Sequence, residues 1–334
     1  MKIIKEENRI EYIDFYRGLG ILLMVMGHVY FGGLFDKLIH AFHMPMFFFI
    51  TGYFYKEDTF LVNFVKKKVR TLLFPYFFFG IFNIIVYCLI NHTIYLKKSL
   101  DLIGYNTNGW VPIGPLWFLT ALFFATIIYK IIDLMYKKSI YKSIMATLIA
   151  FLGNVTVSLL HIRLPWALDT AFVAVGFIHI GRLGKIYKDN KIIYKMMNLD
   201  FFGWIIFSLL ASTFIFLNGY VNMREGVYSN VILFWIAAVS SIVVLLNFSK
   251  ILQSISKKIA LFRIIYKYLS WVGENSVIFL CLNQLIIYII KTVLPNNLVN
   301  ILFYKVVVLV VAMISLTFMD RFIIRRKFKV IIGK

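Results

Sequence analysis

Charged residues and cysteine are scarce in this sequence. Charged side chains make up 15% of the 334 residues, whereas an average soluble protein has about 25%. A water-soluble globule is therefore excluded. The two cysteines, Cys88 and Cys281, each lie inside an apolar run, and two isolated cysteines provide neither a disulfide framework nor the spacing of a metal site.

Acidic residues are the scarcer of the two charge classes. The chain has 15 Asp and Glu against 36 Lys and Arg, a formal net charge of +21. In a soluble protein such an excess points to nucleic acid, but here the basic residues stand in short tracts between apolar runs. That distribution is typical of charges that orient membrane helices, so no nucleic-acid partner is expected.

Hydrophobic residues are abundant and occur in runs. They account for 61% of the chain, enough for about ten membrane spans of about 20 residues. Backbone groups in lipid must be hydrogen-bonded within their own segment, so these runs predict helices. The sequence predicts an all-α, multi-pass protein of the cell membrane, a single integral membrane domain over residues 1–334. Its ten expected spans are 18–34, 42–54, 72–90, 116–135, 144–160, 166–180, 201–217, 231–246, 276–290 and 301–319, of which the second is short enough to be re-entrant.

Positive charge alternates between the two sides of these spans. The N-terminal tail, the even-numbered connections and the C-terminal tail hold 28 of the 36 basic residues, against 6 in the odd-numbered connections, while Lys130 and Lys305 lie within predicted spans. Lys and Arg favour the cytoplasmic side of a membrane. Both termini are therefore predicted to be cytoplasmic, with the lipid bilayer as the protein's main partner.

The first span carries two ionisable residues on one face. Arg17 and His28 are eleven residues apart, so they point in nearly the same direction and are separated by about 16 Å along the helix. We expect the guanidinium at the cytoplasmic edge and the imidazole near the middle of the bilayer. Arg17 could instead extend to lipid headgroups, and His28 could bond a neighbouring helix. An ionisable residue within the membrane is costly, however, and marks a functional site by default.

Arg17, ten intervening residues and His28 are followed by the string HMPMFFFITGY, which begins at His43. Together these segments resemble the signature of the acyltransferase 3 family of membrane O-acyltransferases, and especially its fucose 4-O-acetylase-like branch. Further matches are spread over most of the chain: Arg70 with Pro75-Tyr76, Pro115-Leu116-Trp117-Phe118-Leu119, Asp169 with Phe172 and Gly176, and Gly273-Glu274-Asn275-Ser276.

The resemblance implies transfer of an acyl group, usually from cytoplasmic acetyl-CoA, to a hydroxyl of a carbohydrate or another acceptor at the membrane. On this basis His28 stands where the family has its essential histidine and Arg17 where it has the paired arginine. After the Gly-Glu-Asn-Ser segment, relatives often have a histidine, whereas this chain has Asn283-Gln284. The resemblance therefore does not provide a second catalytic histidine at that place.

Carboxylates and cations are candidates to complete the site. Glu274 is the expected catalytic partner of His28, because a carboxylate can orient an imidazole and stabilise its protonated form; Asp169 could act in the same way. Arg70 and Lys67, from a basic tract, join Arg17 as candidate ligands of CoA phosphate. The tract also fits cytoplasmic topology and attraction to anionic lipid.

The residues expected to line an acceptor site or cavity include polar and aromatic side chains. Aromatic faces and amides suit a sugar, although interfacial belts have a similar composition. No metal is expected, because the histidine pair with the nearest ligand spacing, His40 and His43, lacks a third ligand. The acceptor or cavity candidates are Asp14, for which an ion pair with Arg17 is an equal alternative, His43, Trp117, Asp169 and Asn275.

The sequence favours an enzyme, a membrane O-acetyltransferase that uses acetyl-CoA and a carbohydrate acceptor and that could form a homo-oligomer. The alternative is a transporter or flippase for a polysaccharide or lipid-linked sugar, with the same polar residues along its path. A non-catalytic membrane partner fits less well, because it gives no role to the spacing of Arg17 and His28.

The charge alternation generates a topology prediction. A reporter that is active only in the cytoplasm should work when it is fused after Lys334, and it should fail when it is inserted after Asn108 in the third connection. Activity assays of the two fusions in whole cells test this. An active Asn108 fusion with an inactive Lys334 fusion would reverse the predicted orientation.

Overall fold

The computed structural model describes residues 11–57, 60–294 and 301–324, and this part of the chain is almost entirely helical. Its β-type pairing is a single isolated antiparallel bridge between Asn222 and Val227. The α-helices are α1 Glu11–Val29, α2 Gly33–His40, α3 His43–Tyr53, α4 Leu61–Lys68, α5 Phe74–Ile90, α6 Leu96–Ser99, α7 Trp117–Met135, α8 Ser139–Ser158, α9 Leu168–Ile186, α10 Lys191–Met197, α11 Phe201–Leu217, α12 Val231–Lys258, α13 Ala260–Glu274, α14 Ser276–Val293 and α15 Ile301–Phe318. Two π-helical segments, Val69–Leu73 and Met319–Ile324, and two 3-10 turns, Leu100–Leu102 and Pro165–Ala167, connect or extend them.

Each of the ten predicted spans overlaps a helix, and the all-α membrane architecture is confirmed. Seven helical segments in the described part are long and apolar enough to cross a membrane, or eight if α10 and α11, bent by 84°, form one span. The number ten is not confirmed, because α1 carries charge in its first turns and α3 has only 11 residues. Both termini lie outside the described residues, so their side of the membrane stays a prediction.

The outer helices expose large apolar side chains. Ile85, Leu148 and Ile314 are 54%, 55% and 63% exposed on three different helices. An apolar surface of this extent is not tolerated in water. These faces contact lipid, whereas polar side chains such as His43, Asp169 and Asn283 are buried between the helices.

Helix α1 lies against α13 with direct backbone contact. A methyl group added at Gly18 would lie 1.8 Å from the carbonyl oxygen of Leu269, and one added at Gly273 would lie 1.9 Å from the carbonyl oxygen of Asp14. Only glycine permits this distance, because a Cβ atom at either position would overlap the neighbouring backbone. Small residues of this kind let helices approach closely in lipid, where packing rather than the hydrophobic effect drives association.

Helix α3 is held against α9 by a second pair of glycines. A methyl group at Gly52 would lie 1.8 Å from the carbonyl oxygen of Ile178, and one at Gly181 would lie 2.0 Å from that of Phe49. Ten of the 11 residues of α3 are buried. A helix too short to cross the bilayer is therefore enclosed by protein, as non-spanning elements at membrane depth must be.

The stretch between the eighth and ninth predicted spans is helical and not an open loop. Helix α12 has 28 residues and is about 42 Å long, which exceeds a hydrocarbon thickness of about 30 Å. It extends beyond the membrane on the side where α1 begins, and α13 returns from there along α1. The short α13–α14 junction at Asn275 follows.

The contact between α1 and α13 generates a stability prediction. Gly18→Ala should destabilise the protein by roughly 1–3 kcal/mol, because the added methyl group forces the two helices apart. Gly27→Ala in the same helix is the matched control, since its nearest neighbour would be His40 Cε1 at 3.7 Å. Thermal unfolding in detergent measures both. An unchanged unfolding midpoint in Gly18→Ala would show that the helices do not depend on this contact.

Candidate functional site

A polar cavity of about 320 Å³ lies at the end of the bundle where α1 ends, and we name it the His28 cavity. Its wall comes from the last turns of α1, from α2, from the starts of α3 and α7, from the connection 218–230 and from α14. The connections on this wall are all odd-numbered in the predicted topology. The cavity therefore faces the side of the membrane opposite the one on which α1 begins.

His28 is the next-to-last residue of α1. This position differs from the expected one near the middle of the bilayer, because α1 begins at Glu11 and ends at Val29, whereas the predicted span began at Gly18 and continued beyond His28. The backbone at Gly32 has φ 131°, a value that glycine adopts without strain. Here the chain reverses, and α2 passes beside the end of α1.

The ring of His28 is oriented by Asn283 of α14. The Asn283 Nδ2 donates hydrogen bonds to the carbonyl oxygens of Phe279, at 2.9 Å, and Leu280, at 2.7 Å. Its Oδ1 therefore faces His28 Nδ1. An amide oxygen only accepts, so His28 Nδ1 carries the proton and donates it. The imidazole is held in the tautomer whose Nε2 has a lone pair.

Two further histidines of the cavity, His40 and His43, also form hydrogen bonds through Nδ1. His43 Nδ1 donates to the carbonyl oxygen of Ile39 at 2.9 Å. His40 Nδ1 lies 3.0 Å from the carbonyl oxygen of Asp36 and 3.2 Å from its carboxylate. The two rings meet edge to face, with centroids 4.9 Å apart. As in His28, engagement of Nδ1 leaves Nε2 available for a ligand or a proton.

The side chain of Asp36 links α2 to the connection 218–230, which joins α11 to α12. Its Oδ2 accepts a hydrogen bond from the Tyr220 hydroxyl at 2.8 Å. Burial raises the pKa of the Asp36 carboxyl, but the hydrogen bonds from His40 and Tyr220 outweigh it and lower the pKa below its usual value. Asp36 is thus an ionised acceptor. In the same connection Arg224 and Glu225 form an ion pair of 2.5 Å beside the cavity.

Arg17 borders a second cavity of about 120 Å³, the Arg17 cavity. Its guanidinium lies 3.7 Å from the Asp14 carboxylate, in the ion pair that their spacing allowed, and its Cζ lies 5.4 Å from the ring centre of Phe54. Along α1, the cavity-lining residues Arg17, Ile21, Met24 and His28 recur at helical spacing. The expected shared face is therefore present, and it borders two cavities.

The two cavities are stacked along the same four helices. On α3, Met44 lines the His28 cavity and Phe47 the Arg17 cavity. On α7, Trp117 lines the His28 cavity and its neighbour Phe118 lines the Arg17 cavity. The rings of Phe47 and Phe118 have centroids 5.8 Å apart. Aromatic side chains thus separate a polar chamber at one end from the arginine at the other.

The carboxylates expected beside His28 lie elsewhere. Asp169 is fully buried and pairs with Arg163, whose Nε is 2.8 Å from its Oδ2. Glu274 lines a cavity on the α13 side of α1, which His28 does not border. The structure therefore corrects the expectation that either acid orients His28, because Asn283 makes that contact.

The remaining candidates lie at the surface, at a helix junction or beside the His28 cavity. Arg70 is exposed on an open apolar groove with Val69 and Phe74, and neither it nor Lys67 borders the Arg17 cavity. Asn275 is buried at the α13–α14 junction, where its Nδ2 donates to the Trp271 carbonyl oxygen at 2.6 Å. Of the acceptor candidates, His43 and Trp117 border the His28 cavity.

Several residues of the cavity were not found from the sequence. Tyr220, Arg224 and Gln284 carry no motif, and Tyr220 meets Asp36 across 184 residues of sequence. The sequence marks Asn283 and Gln284 only as a departure from a family histidine. The position of Asn283, about two helical turns after the start of α14, is the one available signal. Among the described residues, no group of three His, Cys, Asp or Glu side chains is arranged to hold a metal ion.

Comparison with known proteins agrees with this architecture. Nodulation protein NolL from Mesorhizobium japonicum is 26% identical over 246 residues, which cover 68% of this chain and 60% of that protein. No solved structure matches the chain. Residues 10–319 match the family profile described as an acyltransferase domain, acyltransferase 3. Because that match covers nearly the whole sequence, this chain belongs to the acyltransferase 3 family of membrane-embedded acyltransferases.

Proposed function

We propose that this acyltransferase moves acetyl from cytoplasmic acetyl-CoA to a hydroxyl of a cell-surface polysaccharide or lipid-linked glycan. The observation that supports the proposal is the line of residues from Arg17 to His28 along one face of α1, with a cavity at each end of the line. The two residues are separated by about 16 Å. An extended pantetheine arm has a comparable reach, so one donor molecule can contact both.

The donor side is built around Arg17. A guanidinium binds phosphate through two parallel hydrogen bonds, and Asp14 and Phe54 hold this one in place. The rest of the Arg17 cavity is mostly apolar, with Ile21 and Phe47 among its lining residues. Such a wall suits the thin arm of CoA more than its charged nucleotide.

The reaction at His28 follows from its tautomer. Nε2 removes the proton of the acceptor hydroxyl, and the hydroxyl oxygen attacks the thioester carbonyl carbon. A C–O bond forms and the C–S bond breaks. The proton held on Nε2 passes to the departing thiolate, so CoA leaves as the thiol. Throughout, the Asn283 oxygen accepts the Nδ1 hydrogen bond and stabilises the imidazolium.

The acceptor side has the composition of a sugar site. Trp117 and Tyr220 provide aromatic faces, Asp36 and Glu225 provide hydroxyl acceptors, and Gln284 provides an amide. The cation in this wall, Arg224, is paired with Glu225. A neutral sugar that brings hydroxyl groups fits this lining, and it approaches from the face opposite the donor.

Transfer of labelled acetyl tests the proposal directly. Cells with and without the protein are supplied with the label, and acetyl esters on surface polysaccharide are counted. Labelling that depends on the protein supports acetyl transfer. Equal labelling in both strains, together with reduced glycan export, would favour the transport alternative.

Substitution of the proposed base should abolish turnover without abolishing donor binding. In His28→Ala, acetyl transfer should fall by about 10²-fold or more, the usual contribution of general base catalysis, while CoA still binds. His161→Ala is the matched control, since His161 is exposed and outside the cavity. Acetyl transfer and calorimetric CoA titration measure the two properties. Normal turnover in His28→Ala would require another base.

Substitution of Asn283 should impair the rate through the orientation of His28. Asn283→Leu removes the acceptor for the Nδ1 proton and should lower kcat about tenfold, equivalent to about 1.4 kcal/mol of barrier. Asn283→Asp keeps an oxygen acceptor and should retain more of the activity. Single-turnover acetyl transfer measures both variants. Equal losses in the two variants would assign the effect to packing of α14 instead.

A further inference from the structure

A larger cavity lies at the other end of the bundle, where α1 begins. It has a volume of about 570 Å³ between the start of α1, the end of α12 and α13, and we name it the α12–α13 cleft. Helix α13 turns two different faces to its surroundings. Leu269 packs on α1, and Arg263, Lys267 and Ser270 line the cleft at helical spacing. Tyr266 stacks on Phe15 of α1 and also lines the cleft.

The cleft carries three cations. Lys257 is the next-to-last residue of α12, and Arg263 and Lys267 extend from α13. All three border the cleft and are exposed to solvent. Two carboxylates, Glu11 and Glu274, lie on the same wall, and Glu11 accepts a hydrogen bond from Gln253 at 3.0 Å. Cations therefore exceed acids in the cleft.

Arg263 is fixed at the end of α12. Its Nε donates to the Ser256 carbonyl oxygen at 3.2 Å and its Nη2 to the Lys257 carbonyl oxygen at 3.0 Å. Terminal carbonyls carry the negative end of the helix dipole, which would otherwise repel an anion. Arg263 neutralises them. A guanidinium has five donor hydrogens, so others stay available to a ligand.

The cleft and the Arg17 cavity lie on either side of one short junction. Glu274 lines the cleft and Ser276 lines the Arg17 cavity, with Asn275 between them. The cleft and the Arg17 cavity are therefore adjacent across this junction. Along α1, the distance from Glu11, at the cleft, to His28 is about 26 Å.

We propose that the α12–α13 cleft binds the phosphate groups of the acyl-CoA nucleotide, while the arm passes Arg17 toward His28. This inference rests on the proposed function, because it assumes a CoA donor. It assigns the nucleotide to Lys257, Arg263 and Lys267. Arg17, about 16 Å from His28 along α1, contacts the donor between its nucleotide and its thioester. Phosphate on an anionic lipid headgroup has the same chemistry, and the experiment separates the two sources.

The test compares two double variants of the full chain with equal charge changes. Lys257→Gln with Lys267→Gln removes two cations from the cleft. Lys188→Gln with Lys258→Gln removes two exposed cations outside it. Calorimetric titration with CoA gives Kd for each in nanodiscs of neutral lipid, and mass spectrometry measures anionic phospholipid that copurifies. Binding is measured without turnover.

The cleft variant should bind CoA at least about tenfold more weakly than wild type, since charge-assisted hydrogen bonds are lost. The control should bind like wild type. If the cleft variant, the control and the wild type all bind CoA with equal affinity, this inference is overturned and the proposed function is not. The same holds if the cleft variant loses copurified anionic lipid while its CoA affinity is unchanged. Failure of the wild type to bind CoA would instead overturn the donor of the proposed function and this inference with it.

Discussion

The backbones of α1 and α13 touch at Gly18 and Gly273, and those of α3 and α9 touch at Gly52 and Gly181. In lipid no hydrophobic force drives one helix against another, so close packing has to supply the attraction. These contacts set the rotation of α1 and α3 about their axes. Rotation decides which residues face the interior, and thereby directs His28 and His43 into one cavity. Larger side chains at the contacts would separate the helices and turn the polar residues toward lipid.

The hydrogen bond between Asn283 and His28 shows how a buried imidazole can be oriented at low electrostatic cost. A carboxylate in that position would place a charge among apolar side chains, which is expensive unless it is paired. The neutral amide avoids this cost, and because its amino group is already committed to Phe279 and Leu280, only its oxygen can meet the ring. The direction of the hydrogen bond is thus decided by the backbone of α14.

Charge is distributed unequally between the two ends of the bundle. Arg17 and the cations of the α12–α13 cleft lie where α1 begins, and the His28 cavity at the other end combines histidines, hydroxyls and amides with Asp36 and an internally paired arginine. Under the proposed function, this distribution would attract an anionic donor to the first end and a neutral hydroxyl acceptor to the second. Aromatic side chains on α3 and α7 lie between the Arg17 cavity and the His28 cavity.

Composition and local periodicity determined the membrane class, the helices and the common face of Arg17 and His28, because all of these depend on residues within a few turns of one another. The sequence could not determine how many helices cross the bilayer. Helix α3 is apolar enough to resemble a span, but it is too short to cross the membrane and is buried by neighbouring helices. Nor could the sequence identify the partner of His28, which is 255 residues away, or assign Glu274 to a different cavity. These contacts depend on how each helix is rotated and how deep it lies in the membrane. Both are set by the close approach of glycines on helices that are distant in sequence.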